Sequence, residues 1–175
     1  MKRFFTITGI LSLALLSLAN ASTAMRASTL DLEREVQEQA PRHDYILQLL
    51  AHGSNPNITV NGCPLVIYVT MKLVRKKTTD HAKWFEVLRT LLKKKAHVDE
   101  LDTNYHTALM YAAYYGHYDA AALLLSHHAK ADFCNERGES PISQAHAGHK
   151  LALTETEKQR YVKIIALLSS AILKR

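Results

Sequence analysis

The stretch that decides the fold is TALMYAAYYGH, which spans residues 107–117. Thr107 is a good helix N-cap, because its hydroxyl can accept from the free amides of the first turn. Ala112 and Ala113 are small, so a helix that carries them can approach its neighbours closely. Gly116 suits the left-handed conformation at which helices commonly stop. The stretch therefore predicts a short helix, a sharp stop and a second helix after it.

Similar segments lie on both sides of this stretch. Each has a proline-leucine type start followed by a leucine pair: Cys63-Pro64-Leu65 with Leu91-Leu92, Thr107-Ala108-Leu109 with Leu124-Leu125, and Ser140-Pro141-Ile142 with Leu167-Leu168. Leu91 and Leu124 are 33 residues apart, and so are Ala108 and Pro141. A fixed period of this length indicates a stack of repeated helix pairs.

This period, together with residues 107–117, resembles the ankyrin repeat, whose signature is T-P-L-H-x-A over about 33 residues. The resemblance covers roughly residues 43–169. It implies an all-α, ankyrin-like helical solenoid of about four stacked helix pairs including caps, with no β-sheet beyond hairpin turns. Ala108 and Met110 replace the usual proline and histidine, and Tyr105 stands where the family prefers glycine. Because tyrosine is strained at positive φ, we expect an irregular hairpin there.

Two segments are longer than the middle one. Pro64 to Leu91 is 27 residues and Pro141 to Leu167 is 26, against 16 from Ala108 to Leu124. The extra residues either lengthen both helices of a pair, by about a turn and a half each, or form a projecting loop. In the last segment we expect a long final helix, since Thr154 and Glu157 match a capping box. Its predicted apolar face consists of Tyr161, Ile165, Leu168 and Ile172.

The first 21 residues have the pattern of a secretory signal peptide. Lys2 and Arg3 precede an apolar run over residues 4–18, which ends in the small residues Ala19-Asn20-Ala21. We therefore expect cleavage near Ala21 and an exported protein, either periplasmic or secreted. The alternative is a retained anchor, but a spanning helix needs roughly 20 apolar residues and this run is shorter.

Residues 22–175 are predicted to form one ankyrin repeat domain. Its predicted parts are an N-terminal cap pair (28–57), repeat 1 with an insertion (58–100), repeat 2 (101–133), and repeat 3 with an insertion and a C-terminal cap helix (134–175). In the cap, Ser28 and Asp31 resemble a capping box at the start of a helix that Pro41 ends. Apolar positions support this helix and a second one; they are Leu32, Val36, Ile46, Leu49 and Leu50.

The composition excludes several classes of protein and the motifs favour no catalysis. The chain has 175 residues, 47% of them apolar, with 6 Gly, 4 Pro and 2 Cys, which is ordinary for one globular domain and excludes a disulfide-dense scaffold. Neither a nucleophile elbow nor a phosphate-binding glycine loop occurs. We expect no catalytic residues and no cofactor.

Ten histidines raise the question of a metal site. His146 and His149 can share a helix face, but two ligands seldom make a structural zinc site. His127 and His128 are adjacent and diverge on a helix, and His117 is best explained as the structural Gly-His of the family. We therefore predict no metal site. Cys63 and Cys134 fall in different layers of the stack, so we expect free thiols.

Tyrosines supply the first candidate binding surface. Tyr111, Tyr114, Tyr115 and Tyr118 are spaced i, i+3, i+4 and i+7, which predicts one helix face. The core side of that helix is supplied by Leu109, Ala112, Ala113 and Gly116. In ankyrin proteins the first helices and hairpin tips line a concave binding surface, so the resemblance places these tyrosines and Tyr105 there. The alternative is that Tyr114 and Tyr118 pack against the lengthened neighbouring helices.

Basic residues supply the second candidate binding surface. Residues 72–95 contain nine Lys or Arg against two acidic residues, so the formal net charge of +6 is concentrated there. The predicted patch consists of Lys72, Arg75, Lys76, Lys77, Lys93, Lys94 and Lys95. Such a patch suits an acidic protein or an anionic membrane surface, with nucleic acid the least favoured partner. The alternative is a solvated helix face with extended lysines.

These features together predict an exported, monomeric, non-catalytic scaffold that binds another protein. A preformed stack loses little entropy on binding. Two other functions stay open at this point: a periplasmic protein that binds a metal or small ligand near His146 and His149, and a secreted effector that associates with membrane surfaces through the basic patch.

Overall fold

A computed structural model describes residues 28–38, 42–75 and 80–174. Within these ranges the chain is helical apart from turns and one short hairpin. The elements are α1 (28–37), α2 (His43–Ala51), β1 (Thr59–Val60), β2 (Cys63–Pro64), α3 (Leu65–Arg75), α4 (His81–Lys93), α5 (Ala108–Tyr114), α6 (Tyr118–Ser126), α7 (Pro141–Leu151) and α8 (Glu155–Leu173). The strands β1 and β2 pair antiparallel, with Thr59 opposite Pro64. The chain divides into two compact units, one that ends at Asn55 and one that begins at Pro56.

The first unit contains the predicted pair of cap helices, α1 and α2. Their buried apolar residues are those that the sequence indicates, Leu32, Val36, Ile46, Leu49 and Leu50. Ser54 Oγ donates to the carbonyl oxygen of Ser28 (3.1 Å), and Glu35 pairs with Arg42 (2.8 Å). The structure describes α1 from residue 28 onward, so the predicted capping box of Ser28 with Asp31 stays a prediction. Pro41 and residues 1–21, the predicted signal peptide, lie outside the described residues.

The second unit is a stack of three helix pairs, α3/α4, α5/α6 and α7/α8. The first helices α3, α5 and α7 pack side by side, and the second helices α4, α6 and α8 pack in the same order. Large side chains from both rows fill the core; among them Ile67, Leu73, Leu88, Leu91, Leu109, Leu124 and Ile164 are fully buried. The all-α, ankyrin-like solenoid is therefore confirmed.

The extra residues of the longer segments lengthen helices. The middle pair has helices of 7 and 9 residues, whereas α3 has 11 and α4 has 13, about one turn more in each. The helix-lengthening alternative is confirmed for these two helices, although residues 76–79 lie outside the described ranges. In the last pair α7 has 11 residues and α8 has 19. The predicted long final helix and its Thr154–Glu157 capping box are confirmed.

The buried face of α8 differs in part from the prediction. Ile164 and Leu168 are fully buried and Tyr161 is half-buried, whereas Ile172 is 37% exposed. These three inner residues are spaced i, i+3 and i+7, which follows the 3.6-residue period of a straight helix. Ile165 is half-buried like Tyr161. Ile172 is on the same side of the helix, one turn after Leu168, but it is exposed, so assigning it to the buried stripe was wrong.

The turn before each first helix contains a residue in the left-handed region. Asn61, Tyr105 and Gly138 occupy equivalent places, with φ of 52°, 63° and 75°. The Tyr105 amide donates to the Asp102 carbonyl oxygen (3.0 Å), as the Gly138 amide donates to that of Asn135 (3.0 Å). The expected irregular hairpin is therefore wrong. The side chain of Asp102 accepts from two backbone amides and holds Tyr105 in the ordinary turn geometry.

Helix ends in the middle pair follow the sequence pattern. Thr107 Oγ1 accepts from the Met110 amide (3.3 Å), and Gly116 has a φ of 69° where α5 stops. His117 caps α6, since its Nδ1 accepts from the Ala120 amide (3.1 Å). The architectural interpretation of His117 is thus confirmed.

Candidate functional site

A groove of about 310 Å³ lies beside α5 and α7 in the second unit. We call it the tyrosine groove. It is lined by Asn104, His106, Met110, Tyr111, Tyr114, Tyr115, Glu139 and Gln144. The lining comes from two consecutive repeats, so the stacking of α5 against α7 creates it.

Tyr111 is fixed by a short hydrogen bond to Asp102. Its hydroxyl donates to Asp102 Oδ2 over 2.6 Å. Burial opposes ionisation of Asp102, but the bonds from Tyr111 and from the His106 and Asn104 amides outweigh it and lower its pKa. Burial and the neighbouring carboxylate raise the pKa of Tyr111. Asp102 is therefore a carboxylate at neutral pH, and Tyr111 is its neutral donor.

Glu139, which also lines the groove, is held by hydrogen bonds as well. Its Oε2 accepts from Asn135 Nδ2 (2.8 Å) and lies 3.0 Å from His106 Nε2. The bond from Asn135, with a smaller contribution from His106, lowers the pKa of Glu139 although burial opposes this. His106 also meets the Tyr111 ring edge-on, with 5.5 Å between ring centroids. The groove wall thus carries an ionised carboxylate whose position is fixed.

Tyr114 is anchored through its backbone. Its carbonyl oxygen accepts a hydrogen bond from the Tyr161 hydroxyl (2.9 Å). A Cβ at Gly148 of α7 would overlap this carbonyl oxygen, so the close approach of the two helices requires glycine there. The rings of Tyr114 and Tyr115 meet edge to face with centroids 5.1 Å apart. The groove therefore has an aromatic wall whose backbone is hydrogen-bonded to α8.

Three of the five predicted tyrosines come together in the groove. Tyr111, Tyr114 and Tyr115 line it and are half-buried, while the residues predicted on the core side of α5 are buried. Tyr118 does not join them, because α5 ends at Tyr114 and Gly116 turns the chain before α6 begins. It is 42% exposed and lines a different cavity, beside Arg160 and Lys163. The predicted single face of four tyrosines is therefore wrong.

Tyr105 lies on the turn beside the groove rather than inside it. It is 44% exposed, and the Arg137 guanidinium carbon lies 5.7 Å from the centroid of its ring. Its carbonyl oxygen accepts from Asn135 Nδ2 (3.1 Å), which ties this turn to the next one.

The described members of the basic patch lie at two places. Lys72 is exposed near the end of α3, with its ammonium 5.1 Å from the centroid of the Tyr68 ring. Lys93, Lys94 and Lys95 are exposed where α4 ends. Because α3 and α4 run antiparallel, the length of α4, about 18 Å, separates these places. The side chains of Arg75, Lys76 and Lys77 lie outside the described residues, so the continuity of the basic patch stays a prediction.

Sequence reasoning missed the polar residues of the groove. The signal that could have found them is the repeat period: Asp102 and Asn135 are 33 residues apart, and so are His106 and Glu139. Each pair occupies equivalent positions of consecutive repeats. Polar side chains at the same turn positions of stacked repeats meet one another, as His106 and Glu139 do.

The remaining candidate residues form no larger site within the described ranges. No three His, Cys, Asp or Glu side chains there come together as metal ligands. His146 is exposed, and the His149 ring packs edge-on against Tyr161 with centroids 6.2 Å apart. Cys63 and Cys134 are free thiols. Burial raises the pKa of Cys63 to about 11, which leaves it a protonated, weak nucleophile.

The sequence matches the family of ankyrin repeats (3 copies) over residues 38–136 and 79–154. These two overlapping matches cover more than half of the chain. No protein of curated function matches it significantly. Among the described helices, none has both the length and the apolar character needed to cross a membrane.

Proposed function

The chain belongs to the ankyrin repeat family, and we propose on that premise that it is an exported, non-catalytic scaffold that holds another protein in the tyrosine groove. Ankyrin repeats generally mediate protein–protein interaction. The proposal adds two points to this general property: the partner binds in the tyrosine groove, and the chain is exported.

The observation that supports the groove as the binding site is that hydrogen bonds hold two of its tyrosines in place. Asp102 fixes the Tyr111 hydroxyl, and Tyr161 fixes the backbone of Tyr114. Tyrosine gives a large contact area with a polar tip and loses little entropy, which explains its enrichment among residues that dominate binding energy. A wall that is ordered before binding reduces the entropic cost of association.

The export proposal depends on the signal-peptide pattern of residues 1–21. If it is correct, the protein recovered from its own cells lacks these residues. Mass spectrometry of the native protein measures the new N-terminus, which we expect next to Ala21. A native protein that retains the apolar run would contradict cleavage.

Site-specific photocrosslinking tests the groove directly. Benzoylphenylalanine in place of Tyr115 should crosslink a partner protein in the cells that express the chain. The matched control is the same amino acid in place of Tyr118, because that tyrosine is exposed but lies outside the groove. Equal crosslinking from both positions, or none from Tyr115, would refute binding in the groove.

A loss-of-contact variant complements this test. Replacing Tyr115 with Ala should weaken capture of the crosslinked partner at least tenfold, while replacing Tyr118 with Ala should change it less than twofold. Circular dichroism of both variants checks that the helices are unchanged.

A further inference from the structure

We propose that the partner segment held in the tyrosine groove carries an arginine or lysine, whose cation binds between the Tyr114 ring and the Glu139 carboxylate. The inference rests on the proposed function and adds to it the chemical class of the partner. It concerns a different surface from the basic patch, on which the sequence-based expectation of an acidic partner depends.

Two carboxylates give the side of the groove a negative charge. Asp102 accepts from the Tyr111 hydroxyl and from backbone amides, which are neutral, and Glu139 accepts from the neutral Asn135 amide beside the His106 ring. Among the residues that the structure describes, no Lys or Arg forms an ion pair with either carboxylate. Among the described bases, the His106 ring contacts Glu139, and the charge of Arg137 helps to lower the pKa of Glu139 without forming an ion pair. A cation brought by a partner would therefore form the ion pair that no described Lys or Arg forms.

Aromatic rings line the same groove as the Glu139 carboxylate. Cations are attracted to the faces of aromatic rings within about 6 Å of the centroid. This chain uses that contact elsewhere, as in Arg42 over Tyr45 at 4.7 Å and Arg89 over Phe85 at 5.3 Å. Within the described ranges, Tyr114 has no Lys or Arg over its ring. Arg137, the nearest guanidinium to Glu139 along the turn, lies over Tyr105 instead.

The surroundings of the groove carry more acidic than basic residues. Residues 97–106, which lead into the groove, contain three carboxylates and no Lys or Arg, and the helices α5 and α6 add only Asp119. On the other side, residues 135–151 contain two acidic residues, Glu136 and Glu139, and two basic ones, Arg137 and Lys150. Complementary potential of this kind steers a positive segment toward the groove and repels an acidic one.

Nuclear magnetic resonance titration of the whole chain tests the charge preference. The probes are three capped pentapeptides, Gly-Ser-Xaa-Ser-Gly, in which Xaa is Arg, Gln or Glu. We expect the Arg peptide to shift the amide signals of Tyr114, Tyr115 and Glu139 and to bind at least fivefold more tightly than the Gln peptide. The Glu peptide should cause no shift there. Raising the salt from 50 to 500 mM should weaken the Arg peptide alone, because screening acts on charge.

Two charge-removing variants locate the effect. Glu139→Gln keeps an oxygen that can accept from Asn135 but loses the charge, so its affinity for the Arg peptide should fall to that of the Gln peptide. Glu136→Gln is the matched control, since Glu136 is exposed on the same turn and does not line the groove. It should change the affinity less than 1.5-fold.

The outcomes separate this inference from the proposed function. If the Arg and Gln peptides bind alike, or if Glu136→Gln weakens binding as much as Glu139→Gln does, the cation site is refuted while a protein-binding groove still stands. If no peptide shifts the groove signals, the cation site is also refuted. The crosslinking from Tyr115 then decides the proposed function independently.

Discussion

At the scale of single residues, the repeat period governs backbone conformation more strongly than residue type does. Lys95 follows α4 with a φ of 62°, and His128 follows α6 with a φ of 68°. The residue in the corresponding place after α2 is a glycine, Gly53, with a φ of 94°. Only glycine adopts this region without a steric cost, and other residues lose roughly 1–2 kcal/mol. The stack therefore imposes left-handed conformations on side chains that disfavour them.

Replacing Tyr105 with Gly should stabilise the protein. The change removes the steric cost of a φ of 63°, although greater freedom of the unfolded chain offsets part of the gain, so we expect about 0.5–1 kcal/mol. Urea denaturation measures the free energy of unfolding. Tyr105→Ala is the control, because it removes the ring and keeps the strain; a gain from Ala equal to that from Gly would contradict the strain argument.

Replacing Gly148 with Ala should destabilise the protein by at least about 2 kcal/mol, because overpacking against backbone cannot relax by a rotamer change. The added Cβ would also lie 2.5 Å from a ring carbon of Tyr161. The thermal midpoint and the urea midpoint should both fall. His146→Ala on the exposed side of the same helix should stay within about 0.5 kcal/mol of the wild type, and similar losses from both changes would argue against the contact.

At the scale of elements, a histidine pair joins the N-termini of α4 and α6. The Nε2 atoms of His81 and His117 are 2.6 Å apart, and the rings stack with centroids 4.9 Å apart. Because His117 Nδ1 accepts from the Ala120 amide, its proton is on Nε2 and His81 Nε2 is the acceptor. A proton added to either ring removes a hydrogen bond and places positive charge at a helix N-terminus.

The free energy of unfolding should fall as the pH is lowered below about 6.5. Burial and the neighbouring His81 lower the pKa of folded His117 from 6.5, with Arg160 acting in the same direction and Asp119 against it. Between the folded and unfolded pKa values the unfolded state binds the extra proton, so acid favours unfolding there. Urea midpoints at pH 7.5, 6.5 and 5.5 measure the slope.

Two substitutions test the origin of that slope. His117→Asn can still cap α6 but does not titrate, so its stability should change little between pH 7.5 and 5.5. His146→Asn, on an exposed position, should keep the wild-type slope. Asp102 and Glu139 affect stability in a separate pH range. Because their pKa values are lowered, their contribution to the free energy of unfolding is lost only as the pH falls below about 4.5. An unchanged slope in His117→Asn would assign the effect to other groups.

At the scale of the whole molecule, the helices that a core mutation in the second unit destabilises should depend on the helix pair that carries the mutation. Each helix pair contacts only its neighbours, so stability is carried by nearest-neighbour interfaces. Leu109→Ala in the middle pair should cost about 2–5 kcal/mol and raise hydrogen exchange in α3, α5 and α7 alike. Ile164→Ala in the last pair should raise exchange in α7 and α8 and leave α3 and α4 protected. Uniform exchange in both variants would indicate one cooperative block instead.

Much of this architecture follows from the sequence because helix caps and helix stops are local signals. The caps at Thr107 and Thr154 and the stop at Gly116 depend on residues within one turn of each other, and the structure has them as predicted. The predicted face of four tyrosines is wrong because the chain turns at Gly116, so Tyr111 and Tyr118 do not lie on one helix. The carboxylates of the groove could not be placed from local pattern, since Glu139 meets His106 only through stacking.

The hydrogen bond from Tyr161 to the Tyr114 carbonyl joins the last helix to the wall of the groove across 47 residues of sequence. Its consequence is reciprocal linkage: a ligand that favours the docked position of α8 is favoured by that docking to the same extent. A partner in the groove should therefore slow proteolysis near Leu153, the exposed residue just before α8. The C-terminal helix becomes a reporter of occupancy, although it contributes no side chain to the groove lining.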